Sequence, residues 1–209
     1  MQARSRPAVK VASKAESNSD GQAMSAYLDG KPYHVAYVVP DLDAAVDRLL
    51  VSGFGPAHFI RGTDMAALYR GEKINIRVSA AFVVIAGLLT ELVMQEDDSR
   101  SSFTDFIARH PSGALHHVAY LSEDFAATLK DVQARGLSLV PHMEYLDPNG
   151  NKFESYFEAQ GHPDAVLLQL ALPSPLDPVY AKIVEIAENW DGRDPKRDFW
   201  ALAPPGLLG

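Results

Sequence analysis

The sequence contains no cysteine, few basic residues and no long apolar run. Without cysteine, disulfide bonds, thiolate metal ligands and cysteine nucleophiles are excluded, and we expect a reducing, cytoplasmic location. Only 19 Lys and Arg stand against 27 Asp and Glu, and this net charge of −8 argues against a nucleic-acid groove. Apolar runs such as residues 83–89 are far shorter than the roughly 20 residues of a membrane span. We therefore expect neither a nucleic-acid partner nor a membrane.

One short motif occurs twice, and it organises the rest of the chain. The run His-Val-Ala-Tyr begins at His34 and again at His117. Seven residues after each histidine, Asp41 or Asp124 provides a good helix N-cap, and an apolar helical stripe follows. Internal repeats of this kind dictate architecture, because each copy is one structural unit. Each unit is predicted to contain a strand, a helix and three further strands.

The predicted organisation has five parts. Alternating apolar residues indicate the strands, and Gly and Pro residues mark their ends. Residues 62–71 mix polar and apolar side chains and are interpreted as a loop. The five parts are a flexible N-terminal tail (1–25), the first unit (31–96), a linker helix (97–112), the second unit (113–173), and a C-terminal helix with a tail on the surface or at a subunit interface (174–209).

Four polar side chains interrupt apolar strands at matching points of the two units. His34 and His117 lie on the first strand of each unit, whereas Glu91 and Gln169 lie on the last. A lone buried carboxylate needs a cation, a proton or a partner, because its desolvation is costly. Two imidazoles, a carboxylate and an amide oxygen suit a divalent ion such as Zn, Fe, Mn, Co or Ni. The four residues therefore predict a metal site, while His116 is assigned to the opposite face with a structural role.

These residues resemble the vicinal oxygen chelate superfamily, which includes glyoxalase I, methylmalonyl-CoA epimerase, extradiol dioxygenases and bleomycin-resistance proteins. The resemblance covers about residues 31–173, and it looks closest to methylmalonyl-CoA epimerase over residues 81–92, 113–120 and 166–170. It implies an α+β fold in which two βαβββ modules form curved mixed sheets around a metal-containing cleft. It also implies that the metal polarises a substrate carbonyl or enolate while a nearby carboxylate moves a proton.

The sequence departs from the family pattern at the fourth ligand. Epimerases and glyoxalase I normally carry glutamate on the eighth strand, where this chain has Gln169, and the epimerase amide is expected where this chain has Glu91. Glutamine can ligate through oxygen but cannot act as a base. An alternative fourth ligand is Glu154, which follows the turn Asp-Pro-Asn-Gly-Asn at residues 147–151 as in another turn of the superfamily. Glu154 is also a candidate base that does not touch the metal.

Three functions are compatible with this pattern. The first is a glyoxalase-like isomerase or lyase that acts through a metal-stabilised enolate on a small carbonyl or thioester substrate, with Glu91 and Glu154 as catalytic residues. The second is an extradiol-type iron dioxygenase, although that chemistry would need its carboxylate on the eighth strand. The third is a non-catalytic protein that sequesters a ligand. Members of this superfamily pair modules within or between chains, so the resemblance leaves subunit number open and allows a homodimer.

Overall fold

The computed structural model describes Leu28 and residues 32–204, which contain nine strands and four α-helices. The predicted tail, residues 1–25, lies outside these described residues. Within residues 32–204, no helix has the length and apolar character needed to cross a membrane. In chain order the elements are β1 His34–Val38, α1 Leu42–Val51, β2 Ala57–Tyr69, β3 Glu72–Ile85, β4 Leu88–Gln95, α2 Ser102–Arg109, β5 Ala114–Leu121, α3 Phe125–Ala134, β6 Leu139–Leu146, β7 Lys152–Ala159, β8 Leu167–Ala171, α4 Asp177–Glu188, β9 Lys196–Asp198 and a 3₁₀-helix Phe199–Leu202.

The two predicted repeat units have the same strand topology. In the first unit β1 pairs parallel with β4, β4 pairs antiparallel with β3, and β3 pairs antiparallel with β2. The second unit repeats this order with β5, β8, β7 and β6. Each crossover helix begins at an aspartate whose side chain accepts a hydrogen bond from a backbone N–H, Asp41 in α1 and Asp124 in α3. The α+β class with two βαβββ modules is therefore confirmed.

The two units join along both of their edges to form one continuous sheet. Strands β1 and β5 pair antiparallel, and so do the far ends of β2 and β6. Because β2 also pairs with β3, each of the strands β1 to β8 has a neighbour on both sides. Backbone groups at sheet edges are thereby satisfied within the chain. The short strand β9 pairs with the first residues of β2.

The C-terminal segment packs against the same side of the sheet that carries Glu91. Phe82 pairs across β3 and β4 with Glu91, and Phe82 belongs to an apolar cluster that also contains Val179, Ile183 and Phe199. Phe199 is fully buried. The expectation that this tail lies on the surface or at a subunit interface is therefore wrong for Phe199, Trp200 and Leu202, which belong to this cluster or pack against it. Their apolar side chains are used to cover the first unit of the same chain.

The prediction of a loop at residues 62–71 is wrong for residues 62–69, and only Arg70 and Gly71 form a turn. Strand β2 runs through to Tyr69 and pairs with β3 over most of its length. A bulge between Ile60 and Thr63 interrupts the alternation of side chains. Beyond the bulge several residues are half-exposed, which explains the mixed polar pattern in the sequence. Cross-strand hydrogen bonds to two neighbours decide the structure here.

A buried histidine at the start of β2 was not singled out from the sequence. His58 is 1% exposed, and neither ring nitrogen has a hydrogen-bond partner among the described residues. Burial, and then the charge of Arg197, lower the pKa of His58 to about 4. His58 is therefore neutral in the folded protein at pH 7.

The first prediction concerns Gly113, which precedes β5. Its φ is +78°, and an added Cβ would lie 2.8 Å from the carbonyl oxygen of Val38. Gly87 has a similar φ of +80° but nothing within 4 Å of an added Cβ. Gly87→Ala should cost about 1–2 kcal/mol of unfolding free energy from backbone strain alone. Gly113→Ala should cost clearly more in urea denaturation, because it also pushes β1 and β5 apart; equal losses would contradict the close approach.

The second prediction concerns pH and His58. Its folded pKa of about 4 lies below the ordinary 6.5, so the unfolded chain binds more protons between these values. Stability should therefore fall as pH falls through this window. His58→Leu should flatten that loss, measured as unfolding free energy against pH, whereas His162→Leu at an exposed turn should leave it unchanged. Parallel curves for the wild type and His58→Leu would contradict the buried neutral state.

Candidate metal centre

Four adjacent strands at the middle of the sheet each carry one of the sequence-predicted ligands. The strand order is β4, β1, β5 and β8, which places Glu91, His34, His117 and Gln169 on neighbouring strands. The strand pairing is also repeated in the two units, because the alanine of each His-Val-Ala-Tyr motif pairs with residues on both neighbouring strands. Ala36 pairs with Glu91 and His117, and Ala119 pairs with His34 and Gln169.

Three of the four side chains converge on one point. The Nε2 atoms of His34 and His117 lie 3.3 Å apart. The Oε2 atom of Glu91 lies 3.5 Å from each of these nitrogens. All three side chains are largely buried, at 9%, 0% and 16% exposure for His34, His117 and Glu91. These are the residues whose potential ligand atoms lie within 4.8 Å of one another, a cluster that is unique among the described His, Asp and Glu residues.

The spacing of the three donor atoms fits a single small cation. Two donors about 2.1 Å from a shared ion lie about 3.0 Å apart at a right angle and about 3.4 Å apart at the tetrahedral angle. The observed separations of 3.3 and 3.5 Å lie just below and just above the tetrahedral value. Two imidazoles and one carboxylate are also a common ligand set for divalent first-row metals. The group could therefore hold a metal ion.

The charge states of these side chains also suit metal binding. Burial alone would raise the pKa of Glu91, but hydrogen bonding and charge interactions with His117 and His34 hold it far below its usual range. Burial lowers the pKa of His117, against the opposing effect of Glu91. Glu91 is therefore ionised at neutral pH while His117 is neutral. A metal ligand must have these protonation states.

Gln169 lies beside this cluster with one polar atom unused. Its Nε2 donates hydrogen bonds to Glu154 Oε2 at 3.0 Å and to the Tyr156 hydroxyl at 3.1 Å. Its Oε1 is buried and has no hydrogen-bond partner in the described part of the chain. A buried acceptor without a hydrogen-bond partner lowers the stability of the folded protein by about 1–3 kcal/mol. The amide oxygen is therefore available to a cation or to a substrate donor.

Glu154, the alternative fourth ligand, does not belong to the three-donor cluster. It lies on β7 and contacts Gln169. Burial, and then the negative charge of Glu91, raise the pKa of Glu154 to about 7. A carboxyl group with this pKa can both accept and donate a proton near neutral pH.

His116 is not simply a residue of the opposite face, as its position before His117 suggested. The β1–β5 register shifts beside it, so that Ala36 pairs with His117 and Tyr37 with Leu115. The bulge leaves His116 buried, with its Nδ1 atom 2.9 Å from Nδ1 of His117. A bulge of this kind depends on three-dimensional pairing and is not visible in the sequence.

Aromatic side chains enclose the site, and sequence reasoning missed them. The Tyr156 ring lies 4.9 Å from the His117 ring, centroid to centroid. Tyr33 lies 5.6 Å from His34 and from Tyr180 of helix α4 by the same measure. The Tyr33 hydroxyl donates to Asp177 at 2.8 Å, which fixes the start of α4 against β1. These contacts exclude water and strengthen electrostatic interactions in the site.

Comparison with known proteins gives one family match. The family model described as Glyoxalase/Bleomycin resistance protein/Dioxygenase superfamily matches residues 33–153, more than half of the chain. No curated protein matches the sequence.

Several solved structures resemble this chain. Methylmalonyl-CoA epimerase from Mycobacterium tuberculosis is 19% identical, with 76% of this chain and 97% of that chain covered and a TM-score of 0.44. A Streptomyces coelicolor methylmalonyl-CoA epimerase variant in complex with 2-nitronate-propionyl-CoA is 19% identical, with coverages of 69% and 94% and a TM-score of 0.42. A 4-hydroxymandelate synthase variant from Streptomyces coelicolor is 11% identical, with coverages of 69% and 49% and a TM-score of 0.41.

The third prediction is that the purified protein binds about one divalent ion per chain and that His34→Ala combined with His117→Ala abolishes this binding. Losing two of three clustered donors leaves only Glu91 to hold the ion. Metal content after equilibration with Zn²⁺ or Co²⁺ and dialysis is the measurement. His110→Ala combined with His162→Ala removes the same number of imidazoles elsewhere and should retain the ion. Stoichiometric metal in the first double variant would contradict the site.

Proposed function

The chain belongs to the glyoxalase/bleomycin resistance protein/dioxygenase superfamily, and from this premise we propose that it is a metal-dependent isomerase or lyase. Its substrate would be a small carbonyl compound or thioester with an acidic C–H bond next to the carbonyl. The observation that carries the proposal is the triangle of His34, Glu91 and His117, with donor separations of 3.3 and 3.5 Å, beside a carboxyl group of raised pKa. Such an arrangement combines charge stabilisation with proton transfer.

The three clustered residues, with Gln169 Oε1 as the proposed fourth donor, would hold a divalent ion. When bound, this ion would act as a Lewis acid that polarises a carbonyl oxygen and stabilises the enolate that forms after C–H cleavage. Gln169 is favoured over Glu154 as the fourth donor because its Oε1 has no other partner. Glu91, although it is also a carboxylate, is held ionised by the imidazoles and would act as a ligand.

Glu154 is the proposed proton carrier. Its carboxylate accepts a hydrogen bond from Gln169 and lies outside the ligand cluster. Glu154 can therefore gain or lose a proton without the loss of a metal ligand. Burial and the neighbouring charge of Glu91 bring its pKa to about 7, where general acid–base catalysis is most efficient. Glu154 would remove the proton next to the carbonyl and return it to the same or a neighbouring position.

The enclosure of the site supports chemistry that must exclude bulk solvent. Burial of Tyr180 raises its pKa well above the usual value, so this hydroxyl stays protonated. Tyr156 behaves in the same way and already accepts a hydrogen bond from Gln169. Neutral hydroxyl groups of this kind can donate hydrogen bonds to a substrate oxygen.

A second candidate function is an iron-dependent oxygenase, including the extradiol type. One specific observation favours it, because two histidines and one carboxylate with open positions form the ligand set of non-haem Fe(II) oxygenases. Oxygen consumption with ferrous iron and catechols would separate this function from the isomerase or lyase.

The fourth prediction is that the metal-loaded protein exchanges deuterium from D₂O into the carbon next to the carbonyl of at least one 2-substituted acyl thioester or small carbonyl compound. Glu154→Gln should lower this exchange about 10²- to 10⁴-fold, because it removes the proton carrier. NMR detects the exchange. The metal content of the Glu154→Gln variant should equal that of the wild type.

The matched control is Glu158→Gln, the same change four residues further along β7. The carboxylate of Glu158 lies 3.1 Å from Nδ1 of His142. Within the described residues it forms no hydrogen bond or ion pair with a proposed metal ligand. This variant should exchange at the wild-type rate. Wild-type exchange by Glu154→Gln would remove Glu154 from the mechanism, whereas oxygen consumption without any exchange would favour the oxygenase.

A further inference from the structure

The ligand histidine His117 is joined to two further polar side chains on the side away from the three-donor cluster. Its Nδ1 atom lies 2.9 Å from Nδ1 of His116. The other ring nitrogen of His116, Nε2, lies 2.9 Å from the Ser102 hydroxyl at the start of helix α2. His116 and Ser102 are each 2% exposed, and His117 is fully buried. The three groups form a buried chain of hydrogen-bonding side chains.

Hydrogen bonding fixes how protons can be distributed along this chain. Two ring nitrogens 2.9 Å apart must be one donor and one acceptor. If His117 is to bind an ion through Nε2, that nitrogen carries no proton, so Nδ1 is the protonated atom and donates. His116 must then accept at Nδ1 and carry its own proton on Nε2. That N–H donates to the Ser102 hydroxyl oxygen.

The first unit lacks this arrangement, which gives an internal comparison. The residue that precedes His34 is Tyr33, and its hydroxyl donates to Asp177 in helix α4. Nδ1 of His34 is buried and has no hydrogen-bond partner among the described residues. The two ligand imidazoles are therefore held differently, although they occupy matching positions of the repeat.

Packing holds the His116 ring in the required orientation. The rings of Phe103 and Phe106, both on α2, lie 5.3 and 4.9 Å from the His116 ring by centroid distance. The β-bulge next to His116 turns its ring towards His117, although the residues are adjacent in the chain. A ligand ring that donates its second N–H to a fixed acceptor is oriented and is made a better donor to metal.

We propose that His116 is a positioning residue that, anchored by Ser102, fixes the tautomer and orientation of His117 for metal binding through Nε2. This inference rests on the proposed metal-binding function of His34, Glu91 and His117. On this proposal, the bulge on β5 brings Nδ1 of His116 into position to accept a hydrogen bond from His117. His34 in the first unit has no such acceptor among the described residues. His34 is the ligand without such support, so loss of His116 leaves both imidazoles unsupported.

The first test reads the tautomers directly in the Zn²⁺-loaded protein. Histidines labelled with ¹⁵N are examined by long-range ¹H–¹⁵N correlation NMR at about pH 8, where the imidazoles are neutral. His117→Gln and His116→Gln assign the two ring systems by loss of signals. The expected result is a proton on Nδ1 of His117 and on Nε2 of His116. A proton on Nδ1 of His116 would overturn the proposal.

The second test measures Co²⁺ affinity by competition with a chelator. His116→Leu should weaken binding about 10- to 100-fold, the usual effect of removing a partner of a ligand histidine. His116→Asn, whose side-chain oxygen can accept from His117, should recover part of the loss, and Ser102→Ala should show a smaller loss. His162→Gln is the control, because His162 is exposed in the turn between β7 and β8, and it should bind Co²⁺ as the wild type does. Wild-type affinity in His116→Leu would overturn the proposal.

These two tests separate the inference from the function on which it rests. If the wild type binds no Co²⁺ or Zn²⁺, the proposed function fails, and the inference that rests on it fails as well. If the wild type binds metal and His116→Leu binds it equally, the function stands and the inference fails. If His116→Leu does not fold, as judged by circular dichroism, Ser102→Ala and the wild-type tautomers decide the matter.

Discussion

The antiparallel pairing of β1 with β5 is the contact on which the rest of the site depends. It places the two His-Val-Ala-Tyr motifs side by side in opposite directions, so that Nε2 of His34 and Nε2 of His117 meet at 3.3 Å. Each motif also pairs in parallel with the last strand of its own unit, which adds Glu91 on one side and Gln169 on the other. The alanines at the centre of these pairings, Ala36 and Ala119, are fully buried, and their small side chains leave space for the four larger ones.

Burial of these side chains makes an unpaired charge costly and also shifts their pKa values. An ionised carboxylate and several neutral histidines are placed among tyrosine and phenylalanine rings, where a charge is costly unless it is paired. The neighbouring imidazoles hold Glu91 ionised, while the charge of Glu91 in turn helps to raise the pKa of Glu154. Two carboxyl groups in one site are thus driven apart in pKa, which agrees with the roles proposed for Glu91 as a charged ligand and Glu154 as the proton carrier. Helix α4 closes the site through Tyr33 and Asp177.

Much of this could be predicted from the sequence, because repeated local patterns specify repeated local structure. Strand alternation, the aspartate caps and the duplicated His-Val-Ala-Tyr motif indicated two βαβββ units, and the structure and the family match agree with them. Where a feature depends on long-range pairing, the sequence was silent or misleading. The extension of β2 to Tyr69 requires hydrogen bonds from β3 and β6, and the inward turn of His116 requires a bulge against β1. The burial of Phe199 likewise depends on a surface assembled by distant strands.

The closed ring of strands has a consequence for biosynthesis. Chains emerge from the ribosome N-terminus first, at about 5–20 residues per second. The strands β1 to β4 are therefore complete while β5 and β6, which cover the edges of β1 and β2, have still to be made. During that interval the nascent first unit presents two unpaired edges, and such edges are templates for association with other chains. These edges therefore need protection until translation ends. That need is not visible in the folded protein, in which the strands β1 to β8 are paired on both sides.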